Sequence, residues 1–304
     1  MSSSHSRIDY DKQWCSIDDQ LALLAERGLV IDNKDQAKQF LSHIGYYRFS
    51  GYCLAFEKHR HEFIEGTTVE AIKASYLFDV KLRDAITDAL EVIEIDTRSN
   101  VAHIFTSNTS AFGYLERDNF KPNFRHADWL ASLREEAERS KEKFVIHYQD
   151  KYNGFPNLPF WMATEIASFG SVSKMYAGLK PGLQKPIASR YNMQQQDFDS
   201  ALHHLCYIRN ICAHHGRLWD REWAIQPRLP AGKNWEAPLL PDKSRLFVTL
   251  LMISRVIKGC KGIDRFAIDW RRRVSDLIKE PPKLDDAMAR MGLTEKWYQH
   301  PYWR

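Results

Sequence analysis

The sequence predicts a predominantly helical, all-α protein, and three observations carry that expectation. Apolar residues recur at helical spacing through several long segments. Gly and Pro fall mostly between those segments, and strand-like alternation is at most short. From Val69 to Thr106 there is no Gly or Pro, and Leu77, Val80, Leu82, Ile86, Leu90, Ile93 and Ile104 recur at helical spacing. That stretch reads as one very long helix or two in tandem.

The elements follow in chain order. Residues 1–15 read as a flexible polar tail without the apolar stretch of a secretory signal. Residues 16–68 form an N-terminal helical module. Ser16 is the candidate N-cap of a helix ending at Gly28, and a second helix over Asp35–Ile44 closes at Gly45. The aromatic segment IGYYRFSGYCLAF follows, from Ile44 to Phe56. Its Tyr46, Tyr47 and Tyr52 either pack with satisfied hydroxyls or stack on bases, with Arg48 meeting a phosphate. A connector runs to Thr68, with a short hairpin expected around Glu65-Gly66.

Residues 69–280 are expected to form the main helical bundle, with 281–304 packed on it. Within the long helical stretch, Glu91, Glu94 and Arg98 share a face by i, i+3, i+4 spacing, as a solvated ion-pair ladder or as part of a cleft. Asp128–Tyr148 reads as one charged amphipathic helix with Trp129, Leu133 and Phe144 inward. Leu158–Lys180 starts at a Pro, buries Trp161, Met162, Ile166 and Phe169, and bends or stops near Gly170. Glu165 is the one acid on that apolar stretch; an unpaired buried carboxylate is costly, so Arg209 is its candidate partner. After a Pro-rich loop over Gln226–Pro241 come an apolar helix over Lys243–Lys258 and a basic one over Phe266–Lys279 with Arg271, Arg272 and Arg273.

Composition narrows the function classes. The chain is 44% hydrophobic and 27% charged, as in ordinary globular domains, and its formal charge of +4 permits a local nucleic-acid patch without requiring one. Five scattered cysteines without pairing motifs fit reduced thiols in a cytoplasm. No run approaches the roughly eighteen apolar residues of a membrane span.

The chemistry concentrates in Tyr207–Arg221, YIRNICAHHGRLWDR. If the helix containing DFDSALHHLC runs on to about Gly216, then Cys206, Asn210, Ala213, His214 and Arg217 share a stripe, with Arg209 farther around the cylinder. The histidine pair and Arg217 can act as helix C-caps, or they can serve phosphate binding and proton transfer. A zinc site using His203, His204, His214 and His215 is disfavoured. Eleven residues of helix separate the pairs by about 16 Å, and neither Cys-x-x-Cys nor His-Glu-x-x-His is present. No metal and no cofactor is expected.

Arg209-Asn210-x-x-x-His214 resembles the Arg-x(4–6)-His signature of the HEPN superfamily of helical ribonucleases. IRNICAHHGRLWDR is similar to the signature of the bacterial abortive-infection AbiD/AbiF-like family within it. The Gly-Tyr-Tyr-Arg-x-Ser-Gly-Tyr string at Gly45, the Pro-x-Trp-x-x-x-Glu-x-x-x-Phe-Gly string at Pro159 and the terminal Met-Gly-x-x-x-x-Trp at Met291 resemble the same family. The resemblance implies a HEPN-type bundle and a homodimer in which two Arg-His motifs face one another. It implies an antiphage, metal-independent endoribonuclease in which His214 moves protons, Arg209 holds the scissile phosphate and Asn210 orients either. His215, Arg217, Glu94, Arg98, Glu165 and Arg48 would bind RNA or support the site. His215 also fits the signature, with a five-residue gap. The alternative is a non-catalytic module that holds a structured small noncoding RNA.

Overall fold

The computed structural model describes residue 9 and residues 13–304; most of the expected tail lies outside the described residues. The chain forms two compact units, one of residues up to Phe78 with Pro282–Leu284, the other of Asp79–Pro281 with Asp285–Arg304. The helices in order are α1 (Ile17–Glu26), α2 (Lys34–Ile44), α3 (Tyr46–Cys53), α4 (Val69–Asn108), α5 (His126–Arg139), α6 (Lys143–Lys151) and α7 (Phe160–Ile166). They continue with α8 (Phe169–Gly178), α9 (Pro181–Arg190), α10 (Gln195–Ala213), α11 (Leu246–Ile257), α12 (Asp264–Lys279) and α13 (Ala287–Arg290). The sheet among the described residues is one antiparallel hairpin, β1 (Glu57–His59) with β2 (Glu62–Phe63). It turns at Arg60–His61, not at the expected Glu65-Gly66. The fold is all-α.

In the first unit, local chemistry sets the helix starts. Ser16 and Asp19 form a reciprocal capping box on α1, and Asn33 Oδ1 accepts the Gln36 N–H at 2.9 Å on α2. Gly45, at φ 80°, breaks the chain between α2 and α3. The aromatic segment divides. Tyr52 is buried and meets Tyr76 edge-on at 5.4 Å, Tyr46 accepts from Arg27, and Tyr47 is 93% exposed. Packing accounts for all of these except Tyr47.

The long apolar stretch is one unbroken helix, α4, of 40 residues and so about 60 Å long. In the second unit α10 packs against α8, α9 and α11. All twelve residues of α11 are buried, as its apolar sequence on every face requires. The C-terminal segment closes this core. Trp303 packs on Trp270 and Phe247, Trp297 packs on Phe247, and the Phe247 N–H bonds to the Met291 carbonyl at 2.9 Å.

Two expectations change here. Asp128–Tyr148 is two helices, α5 and α6, separated at Ser140–Glu142, where Ser140 and Glu142 are extended. Trp161 on α7 is 51% exposed; Phe160, Ala163 and Thr164 face inward instead. Of the arginine triplet, Arg272 pairs with Asp269 and Arg273 with Asp88 at 2.5 Å, so two of the three are engaged within the protein.

Candidate active-site cleft

One stripe of α4 and the end of α10 enclose a cleft of about 700 Å³. Arg83, Thr87, Glu91, Glu94 and Arg98 recur at helical spacing along α4, while Arg209, Cys212 and His215 come from α10 and the residues after it. Glu94 is the electrostatic centre. It is 8% exposed, accepts from Arg98 Nη2 at 2.6 Å and faces Arg209 Nε at 3.5 Å. Arg98 Nη2 also donates to the Ala167 carbonyl at 2.8 Å. One buried carboxylate between two guanidiniums leaves a local excess of one positive charge, with Arg209 45% exposed and so open to a ligand. The surrounding field is mixed, because Asp84, Asp88 and Glu91 line the same cleft. An anion would therefore be held by the Arg98–Arg209 pair, not by a general basic trough.

The end of α10 settles where the histidines lie. The helix stops at Ala213, short of the expected Gly216, so the i, i+4 stripe does not reach Arg217. His214 is the C-cap, exposed, and bonds its N–H to the Asn210 carbonyl at 3.1 Å. The His215 N–H bonds to Cys212 O at 2.9 Å and the Gly216 N–H to Ile211 O at 2.8 Å. This pair of bonds is the Schellman arrangement, which puts His215 at C′, the position glycine normally fills. His215 has φ 53° there, in the left-handed region that a side chain adopts at a cost of roughly 1–2 kcal/mol. The turn directs His215, not His214, into the lining of the cleft. Gly216 is required by close approach: a Cβ there would lie 2.8 Å from Ile211 Cγ2.

A buried pair that the sequence reading passed over anchors this turn. Asp79 on α4 is fully buried and accepts the Trp219 N–H at 2.8 Å and the Leu218 N–H at 3.0 Å. It also pairs with Arg83 at 2.5 Å, and Arg83 Nη1 donates to the Gly216 carbonyl at 3.3 Å. The readable signal was an Asp-x-x-x-Arg spacing with the Asp set inside an apolar stripe. Cys212, also in the lining, is no nucleophile: burial pushes its thiol up to about 11, so it stays protonated near neutrality.

The remaining expected residues lie elsewhere. Asn210 is exposed and outside the cleft lining, and half-buried Arg217 faces Asp220 at 3.9 Å, beside Arg245 and Arg290. Glu165 is exposed on α7, which corrects the expectation that it is buried against Arg209; Glu94 takes that place. Arg48 is half-buried on α3, in the first unit.

Of the first histidine pair, His204 is fully buried, within 2.6 Å of the Ile225 carbonyl and 2.9 Å of Thr249 Oγ1. Among the described residues no three His, Cys, Asp or Glu side chains converge as metal ligands would. Burial lowers the pKa of His204 to about 4 from an ordinary 6.5. The unfolded chain therefore binds the extra proton first, and stability falls as pH drops from about 6.5 toward 4. By pH 5 the expected loss is about 2 kcal/mol. Thermal unfolding at pH 7.5 and 5 checks this, and His204→Gln flattens the dependence; an unchanged slope in that variant would assign the acid sensitivity elsewhere. His300, lowered to about 4 by burial, adds in the same direction.

Among the described residues no helix is long and apolar enough to cross a membrane. Comparison with known proteins gave no match to a curated protein and none to a solved structure. A family model, that of the Abi-like proteins, matches residues 39–220. This span takes in Arg48, the whole of α4 and the stretch from Arg209 to Asp220. It covers more than half of the chain, which therefore belongs to the Abi-like protein family, and the family points to a role in abortive infection.

Proposed function

We propose that the chain is an abortive-infection endoribonuclease of the HEPN type, cutting RNA in the cytoplasm without a metal ion. The observation that carries the reading is the convergence of Arg209 and His215 on one cleft, with the arginine braced by Glu94. The RNA 2′-oxygen attacks the adjacent phosphorus, the P–O5′ bond breaks, and the products are a 2′,3′-cyclic phosphate and a 5′-hydroxyl. His215 takes the 2′-hydroxyl proton as general base. Arg209 and Arg98 hold the phosphate oxygens and stabilise their growing charge. Left-handed backbone at a non-glycine residue is characteristic of functional positions and supports His215 as the histidine of the pair that acts.

The leaving 5′-oxygen also needs a proton. With one imidazole of each chain lining the cleft, a second copy facing the first across a two-fold axis supplies the acid. Asn210 and His214 then orient the phosphate or its partner from the exposed end of α10.

The test is RNA cleavage in EDTA by the wild type and by a His214→Ala, His215→Ala double variant. Cleavage by wild type alone, leaving cyclic-phosphate ends, supports the reading. If neither cleaves while both still retain a discrete RNA, the protein is a binding module instead. If both cleave equally, the histidine mechanism is wrong.

A further inference from the structure

A second groove, of about 780 Å³, opens between α5 and α8. Its α8 wall is made of Gly170, Ser171, Lys174, Ala177 and Gly178; the Phe124 ring packs against Gly178, and the space beside Gly170 stays open. The volume falls within the roughly 300–1,000 Å³ range of small-ligand sites. Phe124 and Trp129 supply aromatic surface.

The charges in the groove sort themselves by partner. Arg125 and Asp128 pair at 2.5 Å, and Lys121 donates to the Ala177 carbonyl at 2.6 Å. Glu136 and Lys174 are left with no ion pair among the described residues. Half-buried Glu136 accepts one backbone bond, from the Ser168 N–H at 3.3 Å, and burial raises its carboxyl above the ordinary value. A ligand complementary to both charges carries an adjacent pair of donors for the carboxylate, an anion for the ammonium and a planar apolar body between them. Guanine offers N1–H and its 2-amino group side by side, and a nucleotide adds the phosphate.

We infer that the α5–α8 groove is a binding site for a guanine nucleotide unit, either a free mononucleotide or a residue of an RNA strand. The site has a physical link to the cleft. The peptide joining Ala167 to Ser168 donates its N–H to Glu136 and offers its carbonyl to Arg98, the partner of Glu94. A base that draws Glu136 away from Ser168 alters the acceptor that holds Arg98, and through Glu94 the setting of Arg209. This coupling rests on the ribonuclease reading; the binding does not.

The experiment is calorimetric titration of the full chain with GMP, IMP and a guanosine-containing tetranucleotide, for wild type, Gly170→Leu, Glu136→Gln and Arg209→Ala. A Cβ at Gly170 meets nothing closer than Ser168 Oγ at 3.9 Å, so the leucine fills the groove without disturbing the core. GMP is expected to bind saturably. IMP, which lacks the 2-amino group, is expected to bind about tenfold or more weakly, as for loss of a charged hydrogen bond. Gly170→Leu abolishes binding, Glu136→Gln weakens it about tenfold or more, and Arg209→Ala leaves it unchanged. Binding of the tetranucleotide alone, lost in Gly170→Leu and weakened in Glu136→Gln, supports the site and assigns it to a strand. No binding of either probe, or binding indifferent to Gly170→Leu and Glu136→Gln, overturns it. GMP binding with that pattern in a chain that cuts no RNA would sink the coupling while leaving the site.

Discussion

His215→Gly abolishes RNA cleavage and yet yields a more stable protein than His215→Ala. Both variants lack the imidazole, and the proposed mechanism makes it the proton acceptor in the cleft. Each should lose about 10²–10⁴-fold in rate, the usual contribution of an acid–base group. They differ in backbone alone. At φ 53° alanine carries the same left-handed penalty as histidine, whereas glycine carries none and completes the helix C-terminus in the usual way. The glycine variant should therefore be more stable than the alanine variant by about 1 kcal/mol, read as a higher thermal midpoint. Cleavage at the wild-type rate in either variant would move the chemistry to His214. Equal midpoints would mean that the turn relaxes and that the strain has no bearing on function.

The largest effect on stability is expected at Asp79. Asp79→Ala removes the carboxylate paired with the buried Arg83 guanidinium and strips the acceptor from the Leu218 and Trp219 N–H groups. Breaking a buried pair by removing one partner typically costs about 3–5 kcal/mol. Asp79→Asn separates the two roles: its amide oxygen can still accept from the backbone, but the charge opposite Arg83 is gone. It should fall between wild type and Asp79→Ala in denaturant unfolding. In the cleavage assay both should lose activity beyond their unfolded fraction, because the residues they release, Leu218 and Trp219, lie three and four positions after His215. A destabilisation by Asp79→Ala of less than about 1 kcal/mol would show that the turn holds without its anchor.

The sequence made the helices legible because punctuation and periodicity agree over long stretches. α4 and α10 could be placed within a few residues, as could the N-cap at Ser16. The site was legible as a window but not as a geometry. Stripe arithmetic assumes a continuing helix, and it fails once the backbone enters the left-handed turn at His215, so Arg217 drops out and His215 replaces His214 in the lining. Glu165 and Glu94 are both acids set among apolar residues, and periodicity alone cannot tell which one tertiary packing buries. α7 is only seven residues long and turns Trp161 and Glu165 outward; α4 turns Glu94 inward. The break between α5 and α6 has no Gly or Pro to announce it, so packing decides it over propensity.

The order in which the chain is synthesised meets the closure of the second core by Trp297 and Trp303. The helices that form the cleft, α4 and α10, emerge from the ribosome first. Phe247 and Trp270 emerge next, with their aromatic faces still uncovered. Translation halted before residue 297 would thus leave a product with both cleft walls but an open apolar core, the kind of surface that chaperones and proteases act on. For a protein whose proposed activity destroys RNA, this arrangement makes an incomplete copy a substrate for quality control before it becomes an enzyme.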